Sequence, residues 1–121
     1  MKDRIRSFGY AGNGIRLVFG TETNMKIHLV IVLLVIVGGF VFDISLTEWL
    51  VCLLCVGLVI GAEMMNTAIE NVVDLVSPDP HPLAGKAKDI AAGAVLICAI
   101  ISVVIGVLIF VPKIWSLIQA F

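Results

Sequence analysis

Three carboxylates and two asparagines lie within one short stretch, EMMNTAIENVVD, of a chain that is 60% hydrophobic. If the stretch is helical, at about 100° per residue four of its polar side chains point to one side, within roughly 80° of each other; they are Glu63, Asn66, Glu70 and Asp74. Ionisable side chains inside a membrane are costly and usually functional. Asp74 alone could be a solvated residue at a helix end, and Asn66 alone could join two helices. The whole stripe, however, indicates a site that does chemistry.

The composition indicates an integral membrane protein of one domain, residues 1–121. Charged residues make up 14% of the chain, against about 25% in soluble domains. Apolar runs long enough to span a hydrocarbon core of roughly 30 Å predict an all-α fold with three transmembrane helices, over residues 25–42, 47–76 and 84–111. The runs are broken by FDISLTEW, where Ser45 or Thr47 could cap the second span, and by the proline-rich turn VSPDPHP.

The N-terminal segment and the basic residues indicate how the chain lies in the membrane. Residues 1–22 are expected to form an amphipathic surface helix, because apolar side chains share one face of a helical wheel; they are Ile5, Phe8, Ile15 and Phe19. Lysine and arginine occur before the first span and after the second loop, whereas the first loop has neither. By the positive-inside rule, the N-terminus and the second loop face the cytoplasm.

Further polar groups are expected at the depth of the stripe. If Glu48 marks the outer interface, Glu63 lies about 22 Å further along a helix, just inside the cytoplasmic edge of the hydrocarbon, and Glu70 about 10 Å beyond. Small residues around Lys88 let helices approach closely, which would bring this lysine beside the carboxylates. TETNMKIHL adds a group at the same depth: Glu22, Asn24, Lys26 and His28. Clustered carboxylates beside a lysine suggest Mg²⁺ and phosphate.

The usual motifs of nucleotide and metal sites are missing from the sequence. AGKAKD lacks the G-x-x-x-x-G-K-[ST] pattern, and there is no H-E-x-x-H. Cys52 and Cys55 form a C-x-x-C inside an apolar run, without the second pair that a zinc site would need. Packing of small, soft side chains explains these cysteines better than redox chemistry does.

The polar segments together resemble one protein family. ExxNTAIExxxD, beginning at Glu63, and HPLAxxAKDxAAGAV, beginning at His81, closely resemble the prokaryotic diacylglycerol kinase family, including its undecaprenol kinase branch. TETNMKIHL and FGYAGNGIR resemble the N-terminal blocks of that family, so the resemblance covers almost the whole chain. It implies a homotrimer of three-span subunits in the bacterial cytoplasmic (inner) membrane. It also implies transfer of the γ-phosphate of ATP to the hydroxyl of a lipid alcohol.

The resemblance also implies roles for individual residues. It makes Glu63 the general base, oriented by Asn66. Mg²⁺ bridged to ATP would be held by Glu22 and Glu70. Lys88 and Asp89 match positions that contact the nucleotide. Tyr10 and His81 match positions near its adenosine and phosphates. Two departures from the family pattern, at Asn13 and Asp79, leave those positions without a role.

Undecaprenol is the expected acceptor, and diacylglycerol is the alternative. The NMKIHL block and the HPLA…AKDIAAGAV run look more like the undecaprenol branch; the diacylglycerol branch tends to have an acidic residue at the position of His28. A protein of another class, a small proton-coupled membrane carrier, would also use an intramembrane carboxylate such as Glu63. A carrier would not need Lys88, Asp89 and the cytoplasmic carboxylates, and a purely structural membrane peptide would need none of these groups. No nucleic-acid partner is indicated.

Overall fold

The computed structural model describes residues 1–121 and consists of four α-helices without strands. They are α1 (Lys2–Thr21), α2 (Thr23–Val41), α3 (Leu46–Val76) and α4 (Pro82–Gln119). The last three are each long and apolar enough to cross a membrane, which confirms the all-α fold with three transmembrane helices. α1 contacts α2 and α3, and Val18 is its one buried residue.

The helices bury few side chains against one another. α3 and α4 form the most extensive contact, and α2 packs on α3. Only 10 of the 121 residues are buried, and most large apolar side chains are exposed. Lipid tails are as apolar as these side chains, so a membrane helix gains little by hiding them. The polar residues that the helices do bury therefore stand out: Glu63, Asn66 and Thr67.

Local sequence explains the turn between α2 and α3. Ile44 N–H donates to the Gly39 carbonyl (3.1 Å) and Asp43 N–H to the Phe40 carbonyl (3.4 Å), which is the Schellman pattern that ends many helices. Asp43 has a φ of 48°, the left-handed conformation that this motif requires. Ser45 then caps α3 in a capping box with Glu48, as the sequence predicts for one of its two candidate caps.

The last helix is longer than the sequence predicts. Residues 84–111 were the expected extent, but α4 continues through Pro112 to Gln119. Pro112 removes one backbone donor, which costs about 3 kcal/mol in a helix interior. The next residue offsets part of this cost, because Lys113 Nζ lies 3.2 Å from Glu48 Oε2 on α3. α4 therefore continues through an interior proline, and an ion pair to the facing helix directly follows it.

Candidate active site at one end of the helices

The polar residues predicted from the sequence gather where α2 begins, α3 ends and α4 begins; we call this the polar end. At about 1.5 Å per residue, the 31 residues of α3 extend roughly 46 Å, more than a hydrocarbon core of about 30 Å. The polar half of α3 thus extends from within the apolar layer out to the interface. The opposite end carries the Glu48–Lys113 ion pair.

Glu63 is the most buried polar residue of the site. It is 2% exposed, and its Oε2 lies 3.7 Å from Nε2 of His28 on α2. This separation is longer than an ordinary hydrogen bond, and the Glu63 carboxylate accepts no hydrogen bond within the chain. The Thr67 hydroxyl donates to the Glu63 backbone carbonyl (3.1 Å), which leaves the carboxylate free. The Glu63 carboxylate is therefore buried and still able to accept hydrogen bonds.

One turn further along α3, Asn66 contacts a second carboxylate. Its Nδ2 donates to Glu70 Oε1 (3.2 Å), the i, i+4 geometry that the helical stripe anticipated. Asn66 Oδ1 is buried without a partner. A buried unpaired acceptor costs about 1–3 kcal/mol, and such atoms occur where a ligand or ion is missing. Asn66 thus holds Glu70 through its amide nitrogen and leaves its amide oxygen unpaired.

Lys88 brings α4 to the end of α3. Its Nζ lies 2.5 Å from Asp74 Oδ1, which confirms that this lysine lies beside a carboxylate of the second span. A cleft of about 330 Å³ opens beside this ion pair, between the end of α3, the loop and the start of α4. Polar side chains line it from both helices and the loop: Asp74, Ser77, Asp79, His81 and Lys88. A cleft of this composition can take a polar, charged molecule from the aqueous side.

Of the other residues singled out from the sequence, His81 lines this cleft, whereas Tyr10, Glu22 and Asp89 do not. His81 is the N-cap of α4, and its Nδ1 accepts a hydrogen bond from Leu83 N–H (3.1 Å), so it has a structural role there. Tyr10, 72% exposed, and Asp89, also exposed, have no side-chain hydrogen bond. Glu22 lies half-exposed at the junction of α1 and α2. No hydrogen bond joins Glu22 to Glu70 within the chain.

The donor atoms suit Mg²⁺, although they do not form a complete protein cage. No three His, Cys, Asp or Glu side chains converge as a metal-binding group. Mg²⁺ is usually bound through one or two carboxylates together with waters and substrate phosphates. Glu70, Glu22 and the unpaired Asn66 Oδ1 are oxygen donors of the type it prefers.

Two contacts were not foreseen from the sequence. The pair of His28 and Glu63 requires the register between α2 and α3, which spacing within one helix does not give. The sequence places Asp74 on the stripe but does not single it out as the partner of Lys88. A signal existed for both, because His28 and Lys88 were expected at the depth of the carboxylates.

Comparison with known proteins gives one consistent result. The family model of prokaryotic diacylglycerol kinase matches residues 9–110. The chain is 45% identical to the undecaprenol kinase of Bacillus subtilis (strain 168) over 108 residues, 89% of this chain and 88% of that protein. It is 40% identical to a diacylglycerol kinase of Synechocystis over 112 residues, 92% of this chain and 64% of that protein. The diacylglycerol kinase of Escherichia coli (strain K12) is 35% identical over 100 residues, 83% of this chain and 82% of that protein.

Proposed function

The chain belongs to the prokaryotic diacylglycerol kinase family, and from this premise we propose that it phosphorylates undecaprenol to undecaprenyl phosphate. Membership makes it a membrane lipid kinase with ATP as co-substrate. The acceptor is proposed from the similarity to the Bacillus subtilis undecaprenol kinase. Diacylglycerol is the alternative acceptor, since diacylglycerol kinases are also related. Kinase relatives favour this function over a proton-coupled carrier.

The buried, unbonded carboxylate of Glu63 is the observation that supports the proposed chemistry. The hydroxyl of a lipid alcohol rests at the membrane interface, within reach of the polar end. The hydroxyl oxygen attacks the γ-phosphorus of ATP, and its proton passes to the Glu63 carboxylate. The bond from the γ-phosphorus to the β,γ-bridging oxygen breaks, and ADP leaves. Such a reaction needs mainly positioning and charge stabilisation, which a small helical site can supply.

The remaining assigned residues bind the nucleotide or position the site in this proposal. The ammonium group of Lys88 beside the cleft suits a phosphate, and Asp89 follows it on α4. His81 lines the same cleft, and Tyr10 contacts the adenosine from α1. Asn66 is a positioning residue: it donates to Glu70 one turn from Glu63.

We assign Mg²⁺ to Glu22 and Glu70. Both carboxylates lie at the polar end, and Glu70 is oriented by Asn66. When bound, Mg²⁺ neutralises charge on the β- and γ-phosphates of the nucleotide. Asn66 holds the Glu70 carboxylate in place, and the packing of the helices excludes water from Glu63.

The placement in the cell is part of the same proposal. The polar end faces the cytoplasm, where ATP is available, and the N-terminus lies on that side, in agreement with the positive-inside rule. The membrane is the bacterial inner membrane. The chain acts as a single kinase domain over residues 1–121 and assembles as a homotrimer.

A competition between lipid alcohols tests the proposed acceptor. Purified protein in mixed micelles receives radiolabelled ATP with undecaprenol or diacylglycerol at equal mole fraction. We expect a higher kcat/KM for undecaprenol. Preference for diacylglycerol would overturn the acceptor assignment but leave the kinase assignment intact. Labelling of neither lipid would contradict both assignments.

A further inference from the structure

An apolar cavity lies between α2, α3 and α4, apart from the cleft at Lys88. Its volume is about 220 Å³, and 12 of its 15 lining residues are hydrophobic. On α3 the wall runs from Cys52 to Ile60, about 12 Å of helix. An apolar cavity of about 150 Å³ stays dry and binds small hydrophobic molecules. This larger cavity therefore suits a hydrocarbon segment rather than water.

The cavity begins at the candidate base and extends into the membrane interior. His28 lines the cavity, and the same imidazole lies 3.7 Å from Glu63. The far end is formed by Gly106 and Phe110 of α4, and Phe110 packs against Phe42 near the opposite end of the helices. A molecule with its hydroxyl at Glu63 would thus have the cavity next to it, on the side of the membrane interior.

We propose that this cavity holds the hydrocarbon chain of the acceptor, the part that follows the hydroxyl-bearing carbon. The inference rests on the proposed function, because it takes the acceptor to be a lipid alcohol with its hydroxyl at Glu63. A volume of about 220 Å³ spread over about 12 Å of helix leaves room for one linear chain. That shape suits a single isoprenoid chain better than the paired acyl chains of diacylglycerol. His28 lines the cavity and also lies beside Glu63. The cavity is therefore better placed for the chain of the acceptor than for a bulk phospholipid.

Two glycines allow a matched test. Gly106 lines the cavity, and a Cβ there would meet no atom within 4 Å. The side chain of Gly106→Leu can therefore enter the cavity without displacing backbone. Gly57, exposed on α3, also has no atom within 4 Å of an added Cβ and does not line the cavity, so Gly57→Leu is the control with the same change in helix propensity.

The wild type and both variants are assayed with undecaprenol and with geraniol, a short prenyl alcohol. We expect Gly106→Leu to lower kcat/KM for undecaprenol about tenfold, mainly through KM, because the chain loses the burial of about two methylene groups. Geraniol, which ends nearer His28, should change less than twofold, as should the KM for ATP. The proposal fails if Gly106→Leu affects both alcohols equally or neither, or if Gly57→Leu gives the same selective loss.

The native cysteines provide a readout that does not depend on a substitution. Cys55 lines the cavity and Cys98 does not, and neither is in a disulfide. Mass spectrometry follows their labelling by a hydrophobic maleimide in mixed micelles. Undecaprenol should slow labelling of Cys55 and leave Cys98 unchanged, whereas the phospholipid dioleoylphosphatidylcholine should protect neither. Equal protection of Cys55 by the phospholipid, or no protection by undecaprenol, would overturn the assignment. A wild type that phosphorylates no alcohol would instead refute the proposed function.

Discussion

Glu63 is the one charged side chain that the helices bury, and its surroundings suit a general base. A buried charge is tolerated when it is paired and hydrogen-bonded. Here the nearest partner, the His28 imidazole, is 3.7 Å away, and no donor hydrogen-bonds to the carboxylate. The free-energy cost of burying this carboxylate is therefore not offset by hydrogen bonds within the chain. A proton from a substrate hydroxyl would provide the missing donor.

Replacement of this carboxylate by an amide should separate chemistry from folding. We expect Glu63→Gln to lower kcat by about 10²-fold or more, because the amide cannot accept the proton, while the protein still elutes as the wild type in detergent. Glu48→Gln is the matched control on the same helix, since glutamine keeps the capping box and lies at the opposite end. Near-normal lipid phosphorylation by Glu63→Gln would show that another group takes the proton.

The metal assignment can be tested at Glu22 and Glu70. We expect Glu22→Ala or Glu70→Ala to raise the Mg²⁺ concentration for half-maximal activity about tenfold or more, because each removes a hard oxygen ligand. Glu70→Gln keeps an acceptor for Asn66 and loses the charge, so it should show the same shift if the charge matters. Asp3→Ala removes an unassigned carboxylate from the exposed first turn of α1, outside the cleft, and is the control. An unchanged Mg²⁺ titration in both alanine variants would place the metal elsewhere.

The turn between α2 and α3 shows how one element boundary depends on a single conformation. Asp43 has a φ of 48°, where β-branched side chains are strained by about 1–2 kcal/mol. We expect Asp43→Val to lower the midpoint of thermal unfolding in detergent and Asp43→Gly to leave it nearly unchanged, since glycine adopts this conformation freely. Thr47→Val, at an exposed helical position, controls for the introduced valine. Equal midpoints for Asp43→Val and Asp43→Gly would contradict the left-handed turn.

The sequence predicts the elements of this fold better than the contacts between them. Long apolar runs locate three spans, and Ser45 marks the start of α3 because capping is encoded within a few residues. α4 continues past Pro112, and Lys113 then meets Glu48 on another helix, a contact that no local pattern contains. The same limit explains why the stripe on α3 was predicted, whereas the contact of Glu63 with His28 was not.

On the scale of the whole molecule, a single chain leaves its site incomplete. Asn66 Oδ1 is buried without a partner, and Glu22, Tyr10 and Asp89 form no side-chain hydrogen bond or ion pair with Glu70 or Lys88. Only 10 of 121 residues are buried, so the apolar faces of the helices are available to lipid or to other copies. An assembly with closed symmetry would cover part of these faces and could supply the missing donors.

The proposed homotrimer can be measured directly. Native mass spectrometry of the protein released from detergent should give a main species at three times the chain mass of 13.0 kDa, because packing between copies and not hydrophobic collapse must join membrane helices. Exposed apolar positions on α3 offer a perturbation: Leu58→Trp should shift the population towards smaller species if this face packs closely against a partner. Glu48→Gln, which retains the capping box at the end of α3, should leave the mass distribution unchanged. A catalytically active preparation that contains monomers alone would contradict the trimer, and it would require each chain to form its site from its own residues.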